Sequence, residues 1–245
     1  LSCAGNPYVS TPALDGLVQR GMRFERAYCA YPLCTPSRAS MFTGRYPHEV
    51  GITFNGEPMS EEARLQGLGN VLTNAGYECA YGGKWHIPSI SVSADGSHGF
   101  ERICGFQDVE LPHRCAEFIK GDHEKPFFLV ASFDNPHNIC EWGRHQVLPW
   151  GPIAEMPRLA ECPTVPANFA VPPYEPQVIR ERQRLGPRFY NFTLDHELAD
   201  WRRYRYGYYQ LVQKVDRQIG MILEALAESG LDENTVVIFS ADHGD

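Results

Sequence analysis

The sequence predicts an α/β fold with a mostly parallel central sheet flanked by helices. The continuous apolar run PFFLVASF at 126–133 has the length of a strand and is typical of one covered on both faces, as in a parallel sheet. Segments with helical periodicity precede and follow this run, so strands and helices alternate along the chain. The 245 residues are enough to bury the core of one such domain, and we expect one domain over 1–245.

The first third of the chain is predicted to form three helices and a strand. Thr11 and Pro12, followed by apolar residues spaced three and four apart, predict a helix capped by Thr11. A second helix starts near Pro36, and a third contains 68–72. The segment YECAYGG at 77–83 then has the pattern of a short strand.

The second half contains a proline-rich stretch followed by a long helix. From about 141 to 188 the chain has many prolines and no steady periodicity, which favours an ordered surface excursion or a lid over a separate domain. Apolar residues from Tyr204 to Leu226 then follow a helical period. The segment TVVIFSAD at 235–242 predicts the next buried strand.

Charge and composition exclude some classes of function. With 22 basic and 30 acidic residues the net charge is −8, which argues against a general nucleic-acid or membrane-surface binder. No apolar run approaches the roughly 18 residues of a membrane span. The eight cysteines form no C-x-x-C pair and no zinc-like cluster. We expect the chain to be a fragment truncated at both ends, because it lacks an initiating methionine and stops directly after a polar cluster.

Four polar segments lie at the ends of predicted elements. They are CTPSR at 34–38, GGKWH at 82–86, DNPHN at 134–138 and SADHGD at 240–245. Ligand sites in parallel α/β sheets form at the carboxyl ends of the strands, where three of these segments are expected to converge. The fourth, CTPSR, stands at a helix start, where backbone amides and the helix dipole attract anions.

Cys34 and Arg38 are the most informative pair in CTPSR. A separation of four residues places both side chains on one face of the predicted helix. Arg38 adds a fixed cation whose planar fork suits tetrahedral oxyanions. A buried thiol beside a surface arginine is the simpler alternative for this pair, because free cysteines are usually core residues.

The other segments offer ligands and proton carriers. Asp242 and His243, followed by Asp245, offer oxygen and nitrogen ligands for a divalent metal, and a solvated strand end is the alternative. Lys84 and His86 alternate on an extended segment and are expected to point to the same side, which suits an anionic reaction centre. Lysine and histidine are also common surface residues, so this pairing alone does not decide between a reaction centre and two surface positions.

His137, in DNPHN, is a candidate acid for a leaving group. A histidine that bonds only its own loop is the alternative. Because His137 follows the apolar run at 126–133, we expect it to lie near the other polar segments.

Together these segments resemble the type I sulfatases of the alkaline phosphatase superfamily. CTPSRASMFTGRYPHEVGI at 34–52 fits the signature C-x-P-S-R-A-S-x-x-T-G-R, and GNPYVSTPALDGLVQRGMRFERAYC at 5–29 is also similar. GGKWH and SADHGD match in order. The likeness spans nearly the whole chain and is weakest between Trp142 and Leu198.

The resemblance implies that a maturation enzyme oxidises Cys34 to formylglycine, which is hydrated to a diol on a divalent ion, usually Ca²⁺. One hydroxyl attacks the sulfate sulfur, and the other allows sulfate to be released. Asp242 and His243 are implied to be metal ligands. The family's upstream aspartate pair and downstream lysine are not in this chain, and His243 stands where many members have asparagine.

The resemblance also implies roles for the basic residues. Arg38 holds the diol and the metal-side carboxylates, and Lys84 neutralises the sulfate oxygens. His86 bonds the diol or assists its collapse, and His137 protonates the leaving oxygen.

The implied activity is sulfuric ester hydrolysis, with a sulfated saccharide as substrate. WRRYRYGYY at 201–209 mixes arginines with aromatic residues, and RERQRLGPR at 180–188 is rich in arginine, which suits stacking on sugar rings and contact with anionic groups. A solvated helix face with a tyrosine-rich core side is the alternative for the first segment. Phosphonate or phosphodiester hydrolysis, and non-catalytic binding of sulfated glycans, are the alternatives. Export to the periplasm, lysosome or exterior is expected, and NFT at Asn191 matches a glycosylation motif.

Overall fold

The computed structural model describes residues 1–88, 98–186 and 192–244. The chain divides into two compact units, Leu1–Gln19 with Asn135–Gln218 and Arg20–Asp134 with Ile219–Asp245. We call them the first and the second unit. The glycosylation match at Asn191 and the expected ligand Asp245 lie outside the described residues.

The second unit contains a three-stranded parallel sheet, which confirms the predicted α/β class. Its strands are β1 (Glu78–Gly83), β2 (Glu101–Cys104) and β3 (Phe127–Ser132), in the order β2-β1-β3. β1 and β3 pair over their full length and end together, at Gly83 opposite Ser132. The residues of β3 are only half-buried, so the expected covering of both faces is not met on this strand, which is an edge of the described sheet.

Eight α-helices lie in the described parts of the chain. They are α1 to α8, in order Pro12–Arg20, Cys34–Thr43, Glu61–Leu65, Leu68–Asn74, Leu111–Ile119, Ile139–Gly143, Gln177–Leu185 and Leu198–Glu228. The four predicted helices correspond to α1, α2, α4 and α8. The proline-rich stretch contains α7 and a short 3-10 helix at Leu159–Glu161. None of these helices combines the length and apolarity needed to cross a membrane.

Thr11 stands at the predicted N-cap position of α1, where its carbonyl accepts from the Asp15 amide at 2.8 Å, but the side chain that bonds the first amides is a distant carboxylate. The amides of Ala13 and Leu14 donate to Asp216 on α8, over 3.2 and 3.0 Å. The Thr11 hydroxyl instead bonds the hydroxyl of Ser2 at 2.6 Å. A carboxylate accepts both amides and carries a negative charge at the positive end of the helix dipole, which favours it over a hydroxyl.

An aromatic cluster packs α2 against the end of β1 in the second unit. The ring of Phe42 lies 5.0 Å from Trp85 and 5.8 Å from Tyr81. Tyr81 meets Trp85 edge-on at 5.1 Å and Phe100 at 5.6 Å. These rings are buried together in this core. They hold the helix that starts with CTPSR beside the strand that leads into GGKWH.

The segment TVVIFSAD does not form the predicted buried strand. Residues 235–241 are in no strand, and the side chains of Val236 and Ile238 are 86% and 85% exposed. No described strand pairs with this segment. A β-rich sequence indicates a preference for extended backbone, but a strand also needs a neighbour to satisfy its backbone groups, and the sequence pattern carries no information about that neighbour.

Candidate active site

Four predicted site residues meet in the second unit, two from α2 and two from the end of the chain. The Arg38 Nε donates to Asp242 Oδ2 at 2.9 Å, and Cys34 Sγ lies 3.3 Å from His243 Nε2. Cys34 and Arg38 are both buried on α2. The helix starts at Cys34, before Pro36, which is compatible because the first-turn amides need no partner inside the helix.

Side-chain and backbone bonds hold Asp242 and His243 without a strand. The Ser37 hydroxyl donates to the carbonyl of Asp242, and the amide of His243 donates to Asp242 Oδ1 at 3.0 Å. His243 Nδ1 lies 2.6 Å from the carbonyl of Gly244, which can only accept. Nδ1 therefore donates this bond, and Nε2 is the ring nitrogen that faces Cys34 Sγ.

Cys34, Asp242 and His243 form a cluster able to hold a metal ion. Their sulfur, oxygen and nitrogen ligand atoms all lie within 4.8 Å of one another. Ligands at about 2.3 to 2.6 Å from one ion can be separated by such distances, so the cluster fits a divalent cation. A Ca²⁺ ion takes about six to eight oxygen ligands, and in this cluster only the Asp242 carboxylate offers oxygen, so such an ion would need further ligands. No other such cluster occurs within 1–88, 98–186 and 192–244.

The backbone of Lys84 is fixed directly beside Arg38. Its carbonyl accepts from Arg38 Nη1 at 2.7 Å, from the Tyr81 hydroxyl at 2.6 Å and from Ser132 Oγ at 2.8 Å. Its amide donates to the carbonyl of Ser132 at 2.8 Å. Burial raises the pKa of Tyr81, so this hydroxyl stays a neutral donor. The carboxyl ends of β1 and β3 thus position GGKWH against α2.

The backbone conformation and the close packing at position 83 require a glycine directly before Lys84. Its φ is +92°, a backbone region that L side chains rarely adopt. A Cβ at this position would lie 2.0 Å from the carbonyl oxygen of Ser132, the acceptor of the Lys84 amide. Any larger residue would therefore push β1 and β3 apart at the site.

The side chains of Lys84 and His86 differ in burial, contrary to the expected alternation. Lys84 is buried, and its Nζ lies 3.1 Å from Asp134 Oδ1. His86 is exposed and has a φ of +56°. β1 ends at Gly83, so the alternation of an extended strand does not continue to 86. The His86 carbonyl still joins α2, because it accepts from Thr35 Oγ1 at 2.7 Å.

His137 and the arginine-aromatic segment belong to the first unit. His137 is exposed and lies just before α6. Arg202 donates to the carbonyls of Cys162 and Pro163, at 2.6 and 3.1 Å. Arg205 donates to the Tyr209 hydroxyl at 2.6 Å. Contacts inside this unit thus occupy Arg202 and Arg205, and the role predicted for His137 stays a prediction.

Sequence reasoning overlooked several residues that build the site. Ser37, Tyr81, Ser132 and Asp134 all bond a predicted site residue. A signal existed for two of them, because Ser132 and Asp134 stand at the carboxyl end of the apolar run that became β3. Position at a strand end marks such residues as candidates, but their bonding partners emerge only from the packed structure.

Comparisons of sequence find relatives along the entire chain. The family model described as Sulfatase matches residues 1–114 and 107–245. An ulvan-active sulfatase of Formosa agariphila is 31% identical over 252 residues, which cover 100% of this chain and 48% of that protein. Human arylsulfatase A is 28% identical over 270 residues, covering 100% of this chain and 49% of that protein. The chain thus spans about half the length of the curated relatives it matches.

Solved structures agree with the fold. A 2-O GAG sulfatase superposes with a TM-score of 0.80 at 25% identity, covering 96% of this chain and 53% of that one. A phosphonate monoester hydrolase of Agrobacterium radiobacter superposes at 0.64 and 20% identity, over 94% of this chain and 57% of that one, which shows a shared fold alone. These neighbours have the alkaline phosphatase fold. Sulfatases generally use a metal ion and formylglycine. Because the family model matches from the first residue to the last, the chain belongs to the sulfatase family.

Proposed function

We propose that the protein containing this chain hydrolyses sulfuric esters and releases sulfate from a sulfated saccharide. The observation that carries the proposal is the meeting of Cys34 with Asp242 and His243, beside Arg38, in a chain of the sulfatase family. Names of relatives support a saccharide substrate. They include the ulvan-active sulfatase and a Delta 4,5-hexuronate-2-O-sulfatase of Bacteroides thetaiotaomicron, 27% identical over 96% of this chain and 51% of that protein.

The cluster around Cys34 fits the two groups that the family uses. A maturation enzyme is proposed to oxidise Cys34 to formylglycine, and Asp242 and His243 are proposed to hold a divalent ion, Ca²⁺ being our choice. When present, the hydrated aldehyde supplies a hydroxyl nucleophile, and the ion lowers the pKa of that hydroxyl. Support comes from the position of residue 34, whose side chain lies 3.3 Å from His243 Nε2.

We assign Arg38 to holding the diol and the metal-side carboxylates and Lys84 to the sulfate, and the two histidines to the diol and the leaving group. Arg38, fixed by Asp242 and by the carbonyl of Lys84, keeps a positive charge beside the cluster. Lys84 neutralises the sulfate oxygens as charge shifts toward the leaving group. His86 bonds the hydroxyls of modified residue 34. His137 gives its proton to the departing alkoxide, which is too basic to leave unprotonated.

Sulfate release by the full-length matured protein tests this function. The protein is expressed with its maturation enzyme, and release is measured on a panel of sulfated saccharides, with Cys34→Ala as the control. Release by the unaltered protein but not by Cys34→Ala is expected. Equal release by both would refute the mechanism. Faster turnover of aryl phosphonate than of aryl sulfate would favour a phosphonate hydrolase, and glycan binding without turnover would favour a non-catalytic binder.

Two broader proposals accompany this function. We propose that 1–245 is part of one longer catalytic domain, with 141–188 as an excursion from it, since the relatives are about twice as long. We also propose that the protein is exported, to the periplasm, the lysosome or the exterior. Fractionation of the native host with an antibody to the chain tests the second proposal, and recovery in the cytosol alone would refute it.

A further inference from the structure

We propose that Asp134 is a positioning residue that holds the Lys84 ammonium ready for sulfate. The inference rests on the proposed function, in which Lys84 meets the sulfate oxygens. The Lys84 Nζ lies 3.1 Å from Asp134 Oδ1, and the two side chains are only 6% and 4% exposed. The pair is thus removed from water, where a charge needs a partner to remain stable.

The two ends of Lys84 are fixed by the same strand end. Its backbone is bonded to Ser132, the last residue of β3, and its side chain to Asp134, two residues later. Asp134 is fixed in turn, because its amide donates at 2.8 Å to Oδ1 of the fully buried Asp108. The position of the ammonium therefore follows from the pairing of β1 with β3.

A second buried cation beside Lys84 has its own carboxylate. Arg38 Nε is bonded to Asp242, while Arg38 Nη1 donates to the backbone carbonyl of Lys84. Each cation is thus matched by a separate acid. An ammonium carries three N–H donors, and Asp134 takes one of them. Lys84 therefore keeps donors for sulfate oxygens while its counter-ion fixes where they point.

The neighbouring ionisable groups Tyr81, Asp242 and Asp108 bond atoms other than the Lys84 ammonium. The Tyr81 hydroxyl bonds the carbonyl of Lys84 and not its ammonium. Asp242 Oδ2 faces Arg38, and Asp108 Oδ1 faces the amide of Asp134. Among these groups, the Asp134 carboxylate is the one bonded to the Lys84 side chain. Its loss is expected to let the ammonium move away from the sulfate.

A double-mutant cycle in the full-length matured protein tests the inference. The four proteins are the unaltered protein, Asp134→Asn, Lys84→Met and the double variant, and kcat/KM is measured with an aryl sulfate. If Asp134 acts through Lys84, Asp134→Asn lowers kcat/KM by on the order of tenfold to a hundredfold, as expected for a misplaced catalytic group. In the Lys84→Met background the same substitution changes kcat/KM by less than about twofold.

Melting temperatures separate this role from a general loss of structure. Lys84→Met leaves a buried carboxylate without its partner and should melt lower, and adding Asp134→Asn should recover part of the loss. Asp216→Asn is the matched control, because Asp216 is a buried carboxylate that caps α1 in the first unit. It should lower the melting temperature and leave kcat/KM of the folded protein within about twofold.

The outcomes are distinct. Equal losses of kcat/KM from Asp134→Asn in both backgrounds, or no loss in either, would overturn the role of Asp134 while the proposed function stands. No turnover by the unaltered matured protein would overturn the proposed function, and the inference would fall with it. A loss confined to the background that keeps Lys84 supports the inference.

Discussion

Gly83 offers the sharpest test of how the sheet positions the site. Replacing it by alanine would place a Cβ 2.0 Å from the carbonyl oxygen of Ser132, where a normal carbon–oxygen contact is about 3.3 Å. The ends of β1 and β3 must therefore separate by roughly 1 Å. The hydrogen bond from the Lys84 amide to the same oxygen must then lengthen. A displacement of this size in a catalytic group costs on the order of a hundredfold in rate.

Gly76 is a matched control for the cost of placing alanine at a positive φ. Its φ of +93° is nearly that of Gly83, at +92°, but a Cβ there meets no atom within 4 Å. Gly76→Ala should cost about 1 to 2 kcal/mol of unfolding free energy, the penalty of a left-handed alanine. Gly83→Ala carries the same penalty and a steric one of about 1 to 3 kcal/mol more.

The assay is chemical unfolding of both variants together with kcat/KM on an aryl sulfate. The structure predicts a larger loss of stability for Gly83→Ala and a loss of kcat/KM for this variant alone. If the two variants lost equal stability and Gly83→Ala kept kcat/KM within about threefold, the positioning of Lys84 by the β1–β3 contact would be refuted.

Three further predictions concern single groups. Tyr81→Phe removes one of the three donors to the Lys84 carbonyl and should lower the free energy of chemical unfolding by about 1 kcal/mol, because the other two donors remain. A loss above about 3 kcal/mol would show that the other two donors do not satisfy this carbonyl. Hydrogen bonds from nearby backbone amides lower the pKa of Glu57, so its ionised form stabilises the fold above its ordinary pKa and this stabilisation disappears as the pH falls through the lowered value. Glu57→Gln should therefore be less stable than the unaltered protein at neutral pH and equally stable in strong acid, and a deficit that persists in acid would contradict the ionic cause. Burial raises the pKa of Cys115 to about 12, so a thiol reagent at neutral pH should label the exposed Cys29 and leave Cys115 unlabelled in the folded protein.

The sequence predicts the placement of some candidate site residues because their signals are local. Cys34 and Arg38 share a helix, and a separation of four residues sets their common face before any packing is considered. Strand ends likewise predict where Lys84 lies, since β1 and β3 finish in register. The apolar run at 126–133 has strand length, and it does form β3.

The features that the sequence does not predict depend on partners far along the chain. The α1 cap is Asp216, about two hundred residues from the amides it accepts, so no local pattern identifies it. The pairing of Lys84 with Asp134 depends likewise on two strands ending together. The segment 235–242 has a strong β-propensity but forms no strand among the described residues, because it has no neighbouring strand there to pair with.

The central claim is that Cys34 is the precursor of the catalytic group. Mass spectrometry of the peptide containing residue 34, from full-length protein expressed with the maturation enzyme, tests it most directly. We predict the aldehyde at residue 34, in a fraction that rises in proportion to sulfate-releasing activity across preparations. An unmodified Cys34 thiol in a preparation that releases sulfate at the full rate would contradict the account.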